Sequence, residues 1–421
     1  MRNPQYPVCI MRIGLASLAL LLALLAPAAD AEIRAVVVGV SDYLTLDADL
    51  KGPSNDARLM AETLIARGVT PTKIIILTSD PTGLPAGTVS AQPTRAAILS
   101  ALDAATTAST KGDTIVFTFS GHGAQAPDLS GDEGGGYDEL LLPADATGWK
   151  GAIGSVENAL VDDDLQAWAQ IALAKGIKVI GLIDACHSAT GFRAVGGQGV
   201  ARVIDEAQLG IPDDIIPVAG TPAPPLDGEF VFLYSSQADQ RSFEYPMVDG
   251  SWHGEFTLRL AQTLRDAPDA SWAQVLSATT EAMVQGPARQ MPDGEGPLLS
   301  APVFGTGSPT DRFPIKDGKL AAGLLQGLAE GAELALYATP AGGDPLATLT
   351  LSKVTARDAS FAAPPWQIAL VFSAYPIGAF FGEPFWGRLS DRIGRKPVLI
   401  ATVTANCICY LALAFAPNVY I

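Results

Sequence analysis

Short apolar runs alternate with amphipathic stretches along the middle of the chain, and this alternation predicts a mixed α/β fold. Valine- and isoleucine-rich runs of strand length lie at 33–40, 73–77, 113–120, 177–184 and 230–235. Between and after them, apolar residues recur every three or four positions, which predicts helices beginning at Pro53 and over 93–108, 162–175, 256–264 and 272–284. Buried strands that alternate with helices are typical of a mainly parallel sheet with helices on both faces.

The first 31 residues have the pattern of a secretory signal. Arg12 precedes an apolar run at 13–25, and the small-residue sequence Ala29-Asp30-Ala31 follows. A basic residue, an apolar segment and a small-residue cleavage site in this order predict a signal peptide over 1–31, and the alternative is an uncleaved membrane anchor. We therefore expect the rest of the chain to be exported, either to the periplasm or out of the cell.

At the other end of the chain, 366–386 and 397–421 are nearly continuously apolar, and each is long enough to span a bilayer. The short loop between them, 387–396, is rich in Arg and Lys, which favours the cytoplasmic side for that loop. Both outer ends of the hairpin would then face the exported side. The sequence thus predicts a two-span membrane hairpin over 366–421 and membrane association through it.

Loop 387–396 resembles the loop between the second and third helices of major facilitator superfamily transporters. The resemblance rests on Gly387, Asp391, Arg392, Gly394, Arg395 and Lys396. Transporters of that kind need about a dozen spans around a central path, and two spans cannot enclose one. We therefore do not expect transport, and the hairpin instead suggests a fused or truncated reading frame.

Between the α/β region and the hairpin lies a stretch of short Leu- and Ala-rich runs separated by glycines, which predicts a small, β-rich accessory domain. The predicted organisation is a signal peptide over 1–31, an α/β domain over 32–305, the accessory domain over 312–361 and the hairpin over 366–421.

The charge and the cysteine content of the chain exclude some classes of partner and of covalent cross-link. The formal net charge is -17, and both ends carry a small positive excess, so the middle of the chain is strongly acidic. An acidic surface repels phosphate backbones, and no nucleic-acid partner is expected. Of the four cysteines, only Cys186 lies in the middle, so that region has no internal disulfide.

Two of the predicted strands end in reactive residues. One runs into Ser120-Gly121-His122-Gly123, and another into Asp184-Ala185-Cys186-His187-Ser188. Because ligands bind at the carboxyl ends of parallel strands, His122 and Cys186 are candidates for a nucleophile and its base. His187 is a rival base, but neighbours on an extended chain point to opposite faces, which favours His122. Alone, either residue could be an inert core residue, and His253 is interpreted as structural.

These two motifs, Ser-Gly-His-Gly and Asp-Ala-Cys-His-Ser, resemble the catalytic motifs of metacaspases, the caspase-like cysteine peptidases. The resemblance extends over about 34–264 and includes Asn55-Asp56-Ala57, the sequence Gly-Tyr-Asp-Glu at 136–139, the run Val-Asp-Asp-Asp-Leu at 161–165, and Ser-Ser-Gln-Ala-Asp-Gln at 235–240. The sequence Gln-Ala-Cys of animal caspases is absent, so an aspartate-cleaving caspase is the less similar relative.

The resemblance implies a cysteine endopeptidase with a caspase-like fold that acts on proteins or peptides. Cys186 would be the nucleophile, His122 the general acid and base, and the amides of Gly123 and Cys186 the donors to the oxyanion. The positions that match the acidic substrate pocket of metacaspases are Asp56, Asp184 and Ser120. Two carboxylates suit a guanidinium, so cleavage after Arg or Lys is expected.

The resemblance also bears on calcium, which several metacaspases need. Carboxylates that match their site are present at Asp138, Asp162 and Asp163. The family site has a further acid shortly after the catalytic cysteine, whereas this chain has Arg193 in that region. A calcium site and a solvated acidic face both remain open, and no other cofactor is expected.

The long Gly-, Pro- and Ala-rich stretch at 192–228 is predicted to be a loop beside the active site. In an enzyme that cleaves after Arg, either Arg193 or Arg202 in this loop could be a self-processing site, and an uncut lid is the alternative. Two other functions stay open: a catalytically silent caspase-like scaffold that binds partners, and a product that carries part of a membrane transporter.

Overall fold

The computed structural model describes residues 31–131, 136–186, 199–218, 224–237, 240–284, 290–305, 307 and 309–362. Its helices are α1 (Pro53–Ala66), α2 (Arg95–Ala108), α3 (Asp162–Ala174), α4 (Glu255–Asp266) and α5 (Trp272–Val284). Its strands are β1 (Ile33–Gly39), β2 (Ile74–Thr78), β3 (Val89–Ala91), β4 (Thr114–Ser120), β5 (Gly123–Pro127), β6 (Tyr137–Leu141), β7 (Trp149–Lys150), β8 (Ser155–Val156), β9 (Leu160–Val161), β10 (Lys178–Asp184), β11 (Val200–Ala201), β12 (Phe230–Tyr234), β13 (Phe243–Pro246), β14 (Trp252–Gly254), β15 (Asp293–Glu295), β16 (Ile315–Lys316), β17 (Lys319–Leu320), β18 (Glu333–Leu336), β19 (Ala347–Val354) and β20 (Ala359–Phe361).

A seven-stranded sheet in the order β15-β12-β10-β4-β1-β2-β3 organises the fold. Every neighbouring pair is parallel except β12 and β15, which are antiparallel. The five predicted strands are β1, β2, β4, β10 and β12, and the prediction of a mainly parallel sheet in a mixed α/β fold is confirmed.

The central strands are largely apolar because helices cover both faces of the sheet. On one face, α2 and α3 contribute Ile98, Leu102 and Trp168 to a core that includes Phe117 of β4. On the other face, α1, α4 and α5 pack against alternate residues of the same strands, such as Val116. A strand that is buried on both faces has no polar side to expose, which explains the lack of period-2 alternation.

Strand register brings the two reactive segments together. In the pairing of β4 with β10, Ser120 lies opposite Asp184. The chain then continues to His122 from one strand and to Cys186 from the other, and the Gly121 amide donates to the Asp184 carbonyl at 3.3 Å. A small sheet in the order β11-β13-β14 carries further residues to the same place.

Strands β16 to β20 form a separate antiparallel sheet of five strands in the order β16-β17-β20-β19-β18. Its small core contains Leu320, Ala322, Leu351 and Ala359. Within the described ranges, no helix is both long and apolar enough to cross a bilayer. The predicted hairpin over 366–421 lies outside the described residues, and so does the predicted signal peptide apart from residue 31.

Candidate active site

His122 and Cys186 are both buried at the carboxyl edge of the sheet, with 5% and 0% of their surface exposed. The amide of His122 donates to the Tyr43 hydroxyl at 2.8 Å, and the two rings lie 5.3 Å apart. His122 Nε2 lies 2.8 Å from the Ala48 carbonyl oxygen, which can only accept a hydrogen bond. This contact assigns the proton to Nε2 and leaves Nδ1 as the basic nitrogen, for which the described residues offer no hydrogen-bond partner.

The backbone of Arg202 occupies the predicted oxyanion site. The Arg202 carbonyl oxygen accepts hydrogen bonds from the amides of Gly123 and Cys186, at 3.1 and 3.2 Å. A Cβ at position 123 would overlap the Cys186 carbonyl oxygen, so only glycine fits there. The two amides predicted to hold an oxyanion therefore already hold a peptide carbonyl of the same chain.

The side chain of Arg202 is fully buried in an acidic pocket. Nη1 donates to Ser120 Oγ at 2.7 Å and lies 3.1 Å from Asp184 Oδ2. Nη2 lies 2.6 Å from Asp56 Oδ2 and 3.5 Å from Glu244 Oε2. The three residues predicted to bind the substrate thus surround one guanidinium, and Glu244 adds a third carboxylate.

Residues 200–204 form what we call the captive segment, which is held on both sides of Arg202. Before it, Val200 and Ala201 pair with β13, and the Arg202 amide donates to the Ser242 carbonyl at 2.9 Å. After it, the Ile204 amide donates to the Gly123 carbonyl at 3.1 Å. The segment therefore has the extended, hydrogen-bonded form in which edge strands bind peptides.

Burial and charge set the protonation of the pocket. Burial opposes ionisation of Asp56, but Arg202 and then His253 outweigh it and lower the pKa of Asp56 below its usual value. Burial, together with repulsion from Asp56, raises the pKa of Asp184 despite Arg202. Burial lowers the pKa of Arg202, but the charges of Asp184, Asp56 and Glu244 raise it by more than burial lowers it. The net pKa is therefore raised, and the guanidinium stays charged.

The thiol of Cys186 rests in its neutral form. Burial raises its pKa to about 11, although hydrogen bonds from Ser242 oppose the shift. The Ser242 amide donates to Sγ at 2.8 Å, and the thiol in turn lies 3.5 Å from the Ser242 carbonyl oxygen. Burial also lowers the pKa of His122 to about 4. With Arg202 in place, the pair is therefore thiol and neutral imidazole near pH 7.

Two glycines shape the wall of the pocket. A Cβ at Gly52 would lie 2.8 Å from both Arg202 Nη2 and Glu244 Oε2. A Cβ at Gly254 would overlap Asp184 Oδ2. Side chains at these positions would fill the space that the guanidinium occupies.

We expect Gly254→Ala to lower the free energy of unfolding by about 1–3 kcal/mol, because its methyl group must displace packed pocket atoms. Thermal or denaturant unfolding of the full chain measures this loss. Gly151→Ala is the matched control, since a Cβ there meets nothing within 4 Å. Equal stability of the two variants would contradict the tight packing of the pocket.

The residues predicted to bind calcium lie on two neighbouring surfaces. Asp138 on β6 and Asp163 on α3 line one cavity together with Asp164, whereas Asp162 lines another. Asp164 is already engaged in a two-oxygen contact with Arg95, at 2.8 and 2.7 Å. The described part of the chain gathers no group of three or more metal-binding side chains. The calcium site therefore stays a prediction, and no chemical step is assigned to calcium.

Sequence reasoning missed Glu244 and Ser242, and it considered Arg202 only as a self-processing site. The capture of Arg202 was not anticipated, and His253, interpreted as structural, places Nδ1 2.9 Å from Asp56 Oδ1. One signal was available, since Glu244 interrupts the otherwise apolar strand β13. His187 and Arg193 lie outside the described residues.

Comparison with known proteins shows which family this chain resembles. Residues 33–194 match the family model "Metacaspase, peptidase C14 domain". Metacaspase-2 of Arabidopsis thaliana is 31% identical over 255 residues, which are 60% of this chain and 56% of the relative. Metacaspase-1A of Aspergillus oryzae is 24% identical over 310 residues, covering 65% of this chain and 71% of that protein. The chain thus spans a little over half the length of the first of these relatives.

Two solved structures overlap with the chain in part. A protein from Geobacter sulfurreducens has a TM-score of 0.46 at 21% identity and covers 66% of this chain and 100% of that one. Caspase-1 from Spodoptera frugiperda has a TM-score of 0.41 at 13% identity, covering 67% of this chain and 92% of that one. Residues 346–421 match the model "Major Facilitator Superfamily", and the described start of that match contains the antiparallel strands β19 and β20.

The mainly parallel sheet places a histidine and a cysteine at its carboxyl edge, and these are the residue types of a thiol nucleophile and its base. More particularly, residues 33–194 match the metacaspase peptidase C14 model, and the curated relatives that the chain resembles are metacaspases, which are cysteine peptidases.

Proposed function

We propose that this protein is a cysteine endopeptidase that cleaves peptide bonds after arginine. The observation that carries the proposal is the placement of Arg202, whose guanidinium lies among buried carboxylates while its carbonyl oxygen accepts from the Gly123 and Cys186 amides. An arginine held at both its side chain and its carbonyl supports a pocket for the residue before a scissile bond. Lysine carries the same charge and is the second candidate for this position.

The residues present can perform acyl transfer. His122 Nδ1 would take the thiol proton as Cys186 Sγ forms a bond to the carbonyl carbon, and the carbonyl electron pair would move onto the oxygen. The amides of Gly123 and Cys186 would stabilise that oxyanion. The carbon–nitrogen bond then breaks as His122 returns the proton to the leaving amine, and water hydrolyses the thioester to restore the thiol.

The test is hydrolysis of fluorogenic peptides that end in Arg, Lys or Asp by the full chain under reducing conditions, beside the Cys186→Ala chain. Cleavage after Arg that is absent in Cys186→Ala would support the proposal. If the folded Arg202→Ala chain, in which the pocket is free, also cleaves none of the peptides, the proposal is overturned and the silent scaffold is favoured.

Arg202 is also expected to be a self-processing site. Its carbonyl oxygen accepts from the Cys186 and Gly123 amides, so the bond from this carbonyl to Val203 is the one expected to be cut. Mass spectrometry of the incubated full chain should detect a new terminus at Val203 only when Cys186 is intact. The same cut in Cys186→Ala protein would show that another peptidase makes it.

A further inference from the structure

Glu244 is the one carboxylate of the pocket that lies outside the matched family domain, on strand β13. We propose that Glu244 is a specificity-determining residue that makes the pocket select arginine over lysine. This inference rests on the proposed function for its substrate, but its geometry does not depend on catalysis.

Glu244 is fully buried and held in place before any substrate arrives. Oε1 accepts from the Lys51 amide at 2.9 Å, and Oε2 accepts from the Gly52 amide at 3.0 Å. These two amides belong to the loop that leads into α1, the helix that carries Asp56. A carboxylate fixed by backbone donors needs little rearrangement to receive a cation, which is the condition for strong charge stabilisation.

The four groups around the guanidinium divide between its two terminal nitrogens. Ser120 and Asp184 engage Nη1, whereas Asp56 and Glu244 engage Nη2. An arginine therefore satisfies both ends of the pocket at once. Within the described residues, Nε of Arg202 has no partner, so recognition depends on the two terminal nitrogens.

A lysine ammonium is a single point charge and lies one bond short of the positions of the arginine Nη atoms. It can approach one end of the pocket but cannot contact Asp184 and the Asp56–Glu244 pair together. At 3.5 Å, the Glu244 contact is the longest of the carboxylate contacts, so it is lost first with a shorter side chain. A pocket that keeps a buried carboxylate without its partner discriminates against that ligand.

The first test is a double-mutant cycle in the full-length Cys186→Ala chain, with Arg202→Lys and Glu244→Gln alone and combined. We expect Arg202→Lys to lower the unfolding temperature in both backgrounds. The loss should be about 2–4 °C larger when Glu244 is present than after Glu244→Gln. Glu255→Gln replaces Glu244→Gln in the control cycle, because Glu255 is equally buried but pairs with Arg259. Additivity in the Glu244 cycle would overturn the inference.

The second test measures peptide hydrolysis in the full-length Arg202→Ala chain, in which the pocket is free. Glu244→Gln should lower kcat/KM for an arginine peptide by about tenfold and reduce the arginine-to-lysine ratio by a similar factor. If Glu244 only fixes the loop at Lys51 and Gly52, both peptides lose equally and the ratio is unchanged, which would overturn the proposal.

The two tests separate two kinds of failure. Coupling in the cycle without hydrolysis of any peptide would uphold the pocket and reject the peptidase. Hydrolysis together with an additive cycle and an unchanged arginine-to-lysine ratio would uphold the peptidase and reject the role of Glu244.

Discussion

Replacing Arg202 with alanine is expected to raise the hydrolysis of an arginine peptide in trans by about 10- to 100-fold. In the wild-type chain, Arg202 fills the pocket and its carbonyl fills the oxyanion site, so a peptide can bind only when this segment has left. If the segment is displaced in about 1–10% of molecules, the apparent affinity for a peptide is about 10- to 100-fold lower than that of the open pocket. Initial rates at low peptide concentration measure the gain.

A matched control for Arg202→Ala is Arg357→Ala, which removes an exposed arginine from the bend between β19 and β20. Because Arg202→Ala leaves three buried carboxylates without their cation, it should also cost stability, about 3–5 kcal/mol before water enters the pocket. Ile204→Pro is a second variant, since it removes the amide that donates to Gly123 and restricts the backbone there while Arg202 itself is kept. An unchanged rate in both folded variants would exclude the captive segment as a block.

Alkylation of Cys186 gives a reading that does not depend on turnover. With the pKa of the thiol raised to about 11 by burial, the thiolate is scarce at pH 7, and its amount rises about tenfold per pH unit until that pKa. Wild-type Cys186 should therefore react slowly and faster with rising pH. In Arg202→Ala, water reaches the site, the pKa falls, and the peptide containing Cys186 should be alkylated sooner.

Replacing His122 with alanine is expected to lower kcat by about 100- to 10,000-fold, with little change in KM. The basic Nδ1 of His122 takes and returns the proton, whereas the carboxylates that bind arginine stay in place. The measurement is steady-state hydrolysis of an arginine peptide in the Arg202→Ala background.

His187→Ala is the informative comparison for His122→Ala, because His187 follows Cys186 directly in the sequence. The assignment of roles requires a far smaller loss in His187→Ala. A large loss in His187→Ala, with His122→Ala nearly active, would transfer the base to His187.

Much of the fold was predictable because its elements have strong local signals. The apolar runs that became β1, β4 and β10 are buried on both faces, and that burial leaves a continuous apolar pattern in the sequence. The limits of these strands differ from the predicted ones by one residue. The strands β13 and β14 gave no comparable signal, because short edge elements owe their form to pairing partners far away along the chain.

The sequence by itself determined the α/β class and the strand ends that carry His122 and Cys186, and its resemblance to metacaspases pointed to Asp56 and Asp184. Each of these follows from local periodicity or from a motif of a few residues. Only the tertiary structure decided that Arg202 fills the pocket, that Glu244 completes it and that His253 lies against Asp56. Those contacts join residues 42 to 197 positions apart. Such pairings depend on chain packing and strand register, and no local stretch of sequence specifies either of them.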